Sequence, residues 1–169
     1  SIMNDAAKGP TISSAGEIVK ARTWVKALAI YLVTLGVGIG VFLATPKRSV
    51  SHHYEQAAIR WLSGESLYRD SKESGHGFLY LPQAAILHIP FAICSKVSGV
   101  EWFGDTAWRI TSWLALVVGC WHFRKLIDVP LDHNWVMASC VSVLGISCLR
   151  IGQSTILLTA LMILALVAW

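Results

Sequence analysis

The segment "SHHYEQAAIRWLSGESLYRD" brings three carboxylates, two imidazoles, an amide, two guanidiniums and two phenols into one short stretch. Glu55 is the first candidate proton acceptor, and His52 and His53 are candidates because an imidazole titrates near neutrality. Arg60 and Arg69 have the planar fork that pairs with phosphate oxygens, and Tyr54 and Tyr68 flank them as candidate ligand contacts. Blander readings stand beside each. Glu55 can be a solvated surface charge, the histidines polar filler in a first helical turn, and one of the arginines a headgroup contact. A second stretch, "GHGFLYLPQAAILHIP", has a Gly-rich approach and a Pro suited to a helix start, which puts Tyr80 and Gln83 at the mouth of any cavity and His88 inside an apolar run. For His88 the expectation is a structural hydrogen bond. The third stretch, "RIGQSTILL", has Gly152 and Gln153 opening an apolar helix beside Arg150, where backbone N–H groups and an amide can receive an anion or a hydroxyl. The alternative there is a tight turn between two short helices. No metal site is expected, since His52, His53 and His76 lack regular ligand spacing.

These groups sit in a very apolar chain. Of 169 residues 54% are hydrophobic and 14% charged, with a mean hydropathy of +0.56, which describes a membrane protein better than a soluble domain. Ala27 to Ala44 carries no charge and, with Trp24 and a snorkelling Lys26, nearly crosses a ~30 Å hydrocarbon core. Its length, and the absence of a small-x-small cleavage site after it, argue against a signal peptide. Gly36, Gly38 and Gly40 are read as allowing a neighbouring helix to approach. Four shorter apolar blocks follow, Leu79 to Val97, Ile110 to Phe123, Trp135 to Leu149 and Thr155 to Trp169. The expected fold is therefore all-α, a polytopic transmembrane bundle of about five membrane segments. Residues 1–22 form a polar mobile tail, 23–169 the membrane domain, and 46–78 its first long loop.

Within that loop Tyr54, Ala57, Ala58, Trp61 and Leu62 recur at helical spacing, with Ser51 as N-cap and Gly64 just past the end. An interfacial amphipathic helix over 52–63 follows, with Trp61 dipping into the headgroups. Trp24, Trp61, Trp102, Trp108, Trp121 and Trp135 lie at block ends, as interfacial rings do, whereas Trp113 is placed inside. Cys94, Cys120, Cys140 and Cys148 all fall in apolar blocks and read as small buried residues. Lys and Arg are spread over both sides of such a layout, so charge bias does not orient it. The formal charge of +4, without a basic run or motif, excludes a nucleic-acid partner from the reading. The last block stops at Trp169 in mid-pattern and the chain starts without a methionine, which reads as a piece of a longer protein.

The segments "YEQAAIRWLSGESLY", "GFLYLPQAAILHIPFA", "AWRITSW" and "GQSTILLTALMILAL" resemble, in that order, segments of glycosyltransferase family 87, a group of GT-C type integral-membrane enzymes. The resemblance covers about Ala27 to Trp169 and corresponds to the N-terminal part of a typical member. It implies a GT-C-like helical bundle in the plasma membrane, with the first long loop on the non-cytoplasmic side. It further implies transfer of a sugar, with mannose as the candidate, from a polyprenyl-phosphate donor to an envelope lipid or glycan, without a cofactor. Lipid-linked donor and membrane lipids are then the partners. In many members an acid lies three or four residues before the tyrosine that matches Tyr54; here those positions hold Val50 and Ser51. Either Glu55, His52, His53 or Asp70 replaces it, or the base lies in the remainder of a longer protein, or the protein is a non-catalytic membrane component, transporter-like or an inactive relative.

Overall fold

A computed structural model describes residues 12–45, 49–67, 82–128, 130 and 133–169. Six helices make up this part: α1 (Ile12–Ala44), α2 (Ser51–Leu62), α3 (Pro82–Ser98), α4 (Glu101–Leu126), α5 (Asn134–Ile151) and α6 (Thr155–Ala168). No strand occurs among the described residues, so the fold is all-α. Two helices are long and apolar enough to cross a membrane, the Ala21–Ala44 part of α1 and α5. Helix α1 starts at Ile12, inside the segment expected to be a polar tail.

Along α1 the buried positions Thr23, Ala27, Tyr31, Thr34, Gly38 and Phe42 recur every three or four residues, while Leu28, Leu32 and Val33 are exposed. This is one face of a helix. It packs on α5, and a Cβ added to Gly38 would lie 3.0 Å from the Leu149 Cβ. Gly36 and Gly40 meet nothing, so only Gly38 serves the close approach that the sequence suggested for all three.

Helix directions follow from paired positions. Trp24, Ala27 and Tyr31 share a cleft with Asn134 and Met137, and Gly38 meets Leu149, so α1 and α5 run in the same direction. Trp24 lies against Trp121 at 3.9 Å between ring centroids. The Trp113 indole donates to the Tyr31 carbonyl at 3.1 Å, and the Arg109 guanidinium covers the Phe42 ring at 3.7 Å. Helix α4 is therefore antiparallel to α1. Gly152 lies beside Arg109, and Gly119 beside Ala160 and Ile163, which makes α6 parallel to α4.

Helix α4 thus begins at the end of the bundle where α1 finishes, and α2 and α3 both lie at that end. Tyr54, Ala57 and Leu67 pack against Ala84 and Ala85 of α3 in one apolar cluster. Farther along α3, Ser95 Oγ accepts from the Gly104 N–H at 3.1 Å. A side chain at Gly104 would run into the Phe91 carbonyl and Ser95. The expected crossing over Leu79 to Val97 corresponds to α3, a 17-residue helix that is not one of the two long and apolar enough to cross a membrane. A second, larger cluster, which includes Ala27, Tyr31, Trp113, Leu116, Ala138, Leu149 and Ala160, ties α1, α4, α5 and α6 together.

The loop helix forms close to where its periodicity put it. Its inner face is Ser51, Tyr54, Ala57 and Ala58. Gly64, at φ 71°, ends it, with the Gly64 N–H on Trp61 O and the Glu65 N–H on Arg60 O, the paired bonds of a Schellman ending. Ser51 is the first helical residue and makes no N-cap bond; Val50 holds the cap position. Trp61 is exposed as expected, but Trp108, assigned to the interface by position, is fully buried. All four cysteines are free thiols; Cys120 is buried, whereas Cys94 and Cys140 are exposed on their helices.

A Cβ at Gly145 would lie 2.6 Å from Trp113 Cζ3, on a ring anchored by its bond to Tyr31. Gly145→Ala is expected to destabilise by about 1–3 kcal/mol through overpacking. Gly36→Ala, in open space, gains helix propensity of up to about 1 kcal/mol. Thermal midpoints of both variants in detergent check this; a drop for Gly36→Ala that matches Gly145→Ala refutes the packing assignment.

Candidate functional site

The last carbonyls of a helix have no partners inside the helix, and the end of α5 is buried, so donors have to come from elsewhere. They come from α4. Arg109, 1% exposed, donates Nε to Leu149 O at 2.8 Å and Nη2 to Arg150 O at 3.3 Å. Its other bonds run from Nη1 to Asp105 O at 3.0 Å and to Ser51 Oγ at 3.4 Å, and from Nη2 to Ser49 Oγ at 2.8 Å. A guanidinium has five N–H donors, and each finds an acceptor within the chain. The cation also sits at the negative end of the α5 dipole. Asp105 Oδ2 lies 3.6 Å from Nη1 and accepts from Ser49 Oγ at 3.4 Å.

The turn itself completes the joint. The Val50 N–H donates to Ile151 O at 2.8 Å, and the Trp108 indole donates to Gly152 O at 3.2 Å. Gly152 has φ 72°, and a Cβ there would lie 2.8 Å from Arg109 Nη2 and 2.9 Å from Ser51 Oγ. Only glycine meets both demands. Tyr54, fully buried, pairs its OH with Ser154 Oγ at 3.3 Å. Against it sits His88, 5.9 Å from the Tyr54 ring and 4.8 Å edge-on to Trp108. The structural hydrogen bond expected for His88 is not made at Nδ1, which is buried without a partner among the described residues.

Tyr54 and Gly152, both expected to bind a ligand, are thus brought together, but as buried parts of a joint. The Gly152 and Gln153 N–H groups donate back to the Cys148 and Leu149 carbonyls of α5, so neither is an orphan donor of α6 for an anion. The Gln153 side chain is half-buried and its Oε1 accepts from Cys148 Sγ at 3.5 Å. The Arg150 side chain is exposed although its carbonyl belongs to the joint. On α2, Glu55, Arg60 and His53 are half-buried and His52 is exposed. The Gln56 amide donates to His52 Nε2 at 2.9 Å, which fixes that ring nitrogen as an acceptor. Gln83 is exposed at the start of α3. Tyr68, Arg69, Asp70, His76 and Tyr80 lie outside the described residues. No group of three His, Cys, Asp or Glu side chains that could hold a metal occurs among the described residues.

Arg109, Asp105, Ser49 and Ser154 carry no site assignment from the sequence, and Trp108 was expected only as an interfacial ring. One signal pointed to Arg109: an arginine at the edge of an apolar block, inside "AWRITSW", has to find buried acceptors or snorkel. No protein-family model, curated protein or solved structure matches this chain.

Arg109→Lys replaces a fork by a point charge with three donors, so at least two acceptors lose their bond, at about 1–3 kcal/mol for each group left buried and unpaired. Gly152→Ala strains the same joint from the other side. Both variants are expected to lower the thermal midpoint of the purified protein strongly, and an Arg109→Lys variant as stable as the parent excludes the joint as a structural determinant.

Proposed function

We propose that this chain is part of an integral-membrane glycosyltransferase of the GT-C type, which transfers a sugar, with mannose as the candidate, from a polyprenyl-phosphate donor to an envelope lipid or glycan. One observation carries the reading. The four segments on which the resemblance rests lie far apart in the chain and meet at one end of the bundle, through Tyr54, His88, Trp108 with Arg109, and Gly152 with Ser154. In this reading α1, α4, α5 and α6 cross the plasma membrane, and α2 and α3 lie on its non-cytoplasmic face. The outer side of α2, bearing His52, Glu55 and Arg60, then faces the donor.

The proposed chemistry is a single displacement. The acceptor oxygen bonds to the anomeric carbon as the bond from that carbon to the phosphate oxygen breaks, polyprenyl phosphate leaves with the electron pair, and the hydroxyl proton passes to Glu55. In this proposal Arg60 neutralises the departing phosphate, and the sequence offers Arg69 for the same role. The joint around Arg109 positions α2 and does not touch substrate, because its donors are all engaged.

A second reading is favoured by a specific observation. The positions where the resemblance leads one to expect an acid hold Val50 and Ser51, and Ser51 serves the joint as an acceptor for Arg109. A protein that kept the scaffold and lost the base fits that description. Transfer of labelled sugar from polyprenyl-phosphate mannose in membranes that carry the protein separates the two. Glu55→Gln should reduce turnover by roughly 10²- to 10⁴-fold with donor binding retained. A Glu55→Gln variant at full rate moves the base to His52 or His53, and a parent protein without transfer from any polyprenyl-phosphate sugar supports the non-catalytic reading.

A further inference from the structure

At the end of the bundle away from the joint, α1, α4 and α5 enclose a cleft of about 50 Å³ lined by Trp24, Leu28, Tyr31, Trp121, Asn134 and Met137, among others. Its walls are mostly apolar, and Asn134 is the one amide among the lining residues. That residue is 4% exposed, and neither Nδ2 nor Oδ1 has a hydrogen-bond partner among the described residues. A buried amide left in this state costs about 1–3 kcal/mol for each unpaired group, so something that binds there and accepts from Nδ2 is strongly favoured.

The surroundings define its chemistry. Trp24 is near the start of the apolar Ala21–Ala44 segment and Asn134 begins the apolar α5, so the cleft lies at the common end of both candidate spans. Trp121 closes it, with the buried Arg124 guanidinium 4.4 Å above its ring and the exposed Lys125 ammonium at 5.2 Å. Arg22 and Lys26 are exposed on the adjoining turns of α1, against the single carboxylate of Asp128 among the described side chains at this end. Apolar walls, a buried amide and a cationic rim match, in depth order, an acyl chain, an ester carbonyl and a phosphate.

We propose that this cleft binds an anionic phospholipid, with an ester carbonyl on Asn134 Nδ2, the upper acyl chain along Trp24, Leu28 and Met137, and the phosphate beside Arg124 and Lys125. A cleft of about 50 Å³ admits a small group such as an ester and not a whole headgroup. Asn134 Oδ1 is then served by water, which reaches the ester level of a bilayer. This site rests on the membrane part of the reading above and not on sugar transfer.

The test is native mass spectrometry of the full chain released from nanodiscs of mixed phosphatidylglycerol and phosphatidylcholine. Phosphatidylglycerol should be retained in preference to phosphatidylcholine, and Asn134→Leu, which keeps size and removes both polar atoms, should reduce that retention roughly five-fold, the worth of about one hydrogen bond. Arg124→Gln with Lys125→Gln should abolish the preference for the anionic lipid while leaving some lipid bound. Equal retention of the two lipids, or an Asn134→Leu variant that retains phosphatidylglycerol like the parent, overturns the proposal. A parent chain that carbonate washing strips from membranes sinks the membrane reading itself, a distinct result. A circular-dichroism melt of Asn134→Leu guards against misfolding, and Asn134→Asp, a like-sized side chain that repels the phosphate, should also lose the lipid.

Discussion

The end of α5 leaves carbonyl groups with nowhere to go inside their own helix, and nearly everything at that end of the molecule is arranged around supplying them with donors. Arg109 supplies most of that need from α4, and its remaining N–H groups reach back to Ser49 and Ser51 ahead of and within α2. One side chain therefore fixes the relative positions of α2, α4 and α5, with the ring of Phe42 from α1 stacked beneath it. A lysine in this place would hold the charge and lose the geometry, since three donors on a flexible stem do not span acceptors from separate segments.

Burying a guanidinium is costly, and the partial nature of its ion pair is informative. Asp105 Oδ2 is 3.6 Å away, too long for a hydrogen bond, and Asp105 Oδ1 has no partner among the described residues. The compensation for Arg109 comes chiefly from carbonyl and hydroxyl oxygens, at about 1.5–3 kcal/mol for a bond to a charged group, and less from the carboxylate. Removing Asp105 is thus a milder change to the joint than removing Arg109.

The parts of the molecule that follow local rules were legible in the sequence. The stripe of Tyr54, Ala57 and Ala58 is a helix face, Gly64 closes that helix through its positive φ, and Trp113 is inside. What escaped depends on contacts between segments distant in the chain. Periodicity identifies apolar runs but not their directions, so the close packing of α3 against the start of α4 at Gly104 and Ser95 is not legible in the Leu79 to Val97 run. In the sequence Gly152 and Gln153 fit either the beginning of α6, with free N–H groups, or a tight turn between two helices, and the turn is what forms. Their N–H groups belong to the end of α5, and the distinction rests on the φ of 72° at Gly152, which no composition reveals. Arg109 was passed over for a related reason: an arginine at the edge of an apolar block has the same sequence signature whether it snorkels or is buried.

The joint also constrains where chemistry can occur. Tyr54 and Gly152 looked like ligand contacts because they carry the resemblance, yet both are buried, and the phenol is committed to Ser154. In the structure both hold the joint together. His52 and Glu55 lie on the other side of α2, about 100° or more around the helix from Tyr54. Because α2 is pinned at Val50, Ser51 and Tyr54, those outer groups are held by their helix against a rigid base. Reorienting them would require breaking bonds to the α5–α6 turn, so the turn sets the orientation of the face on which the proposed transfer depends.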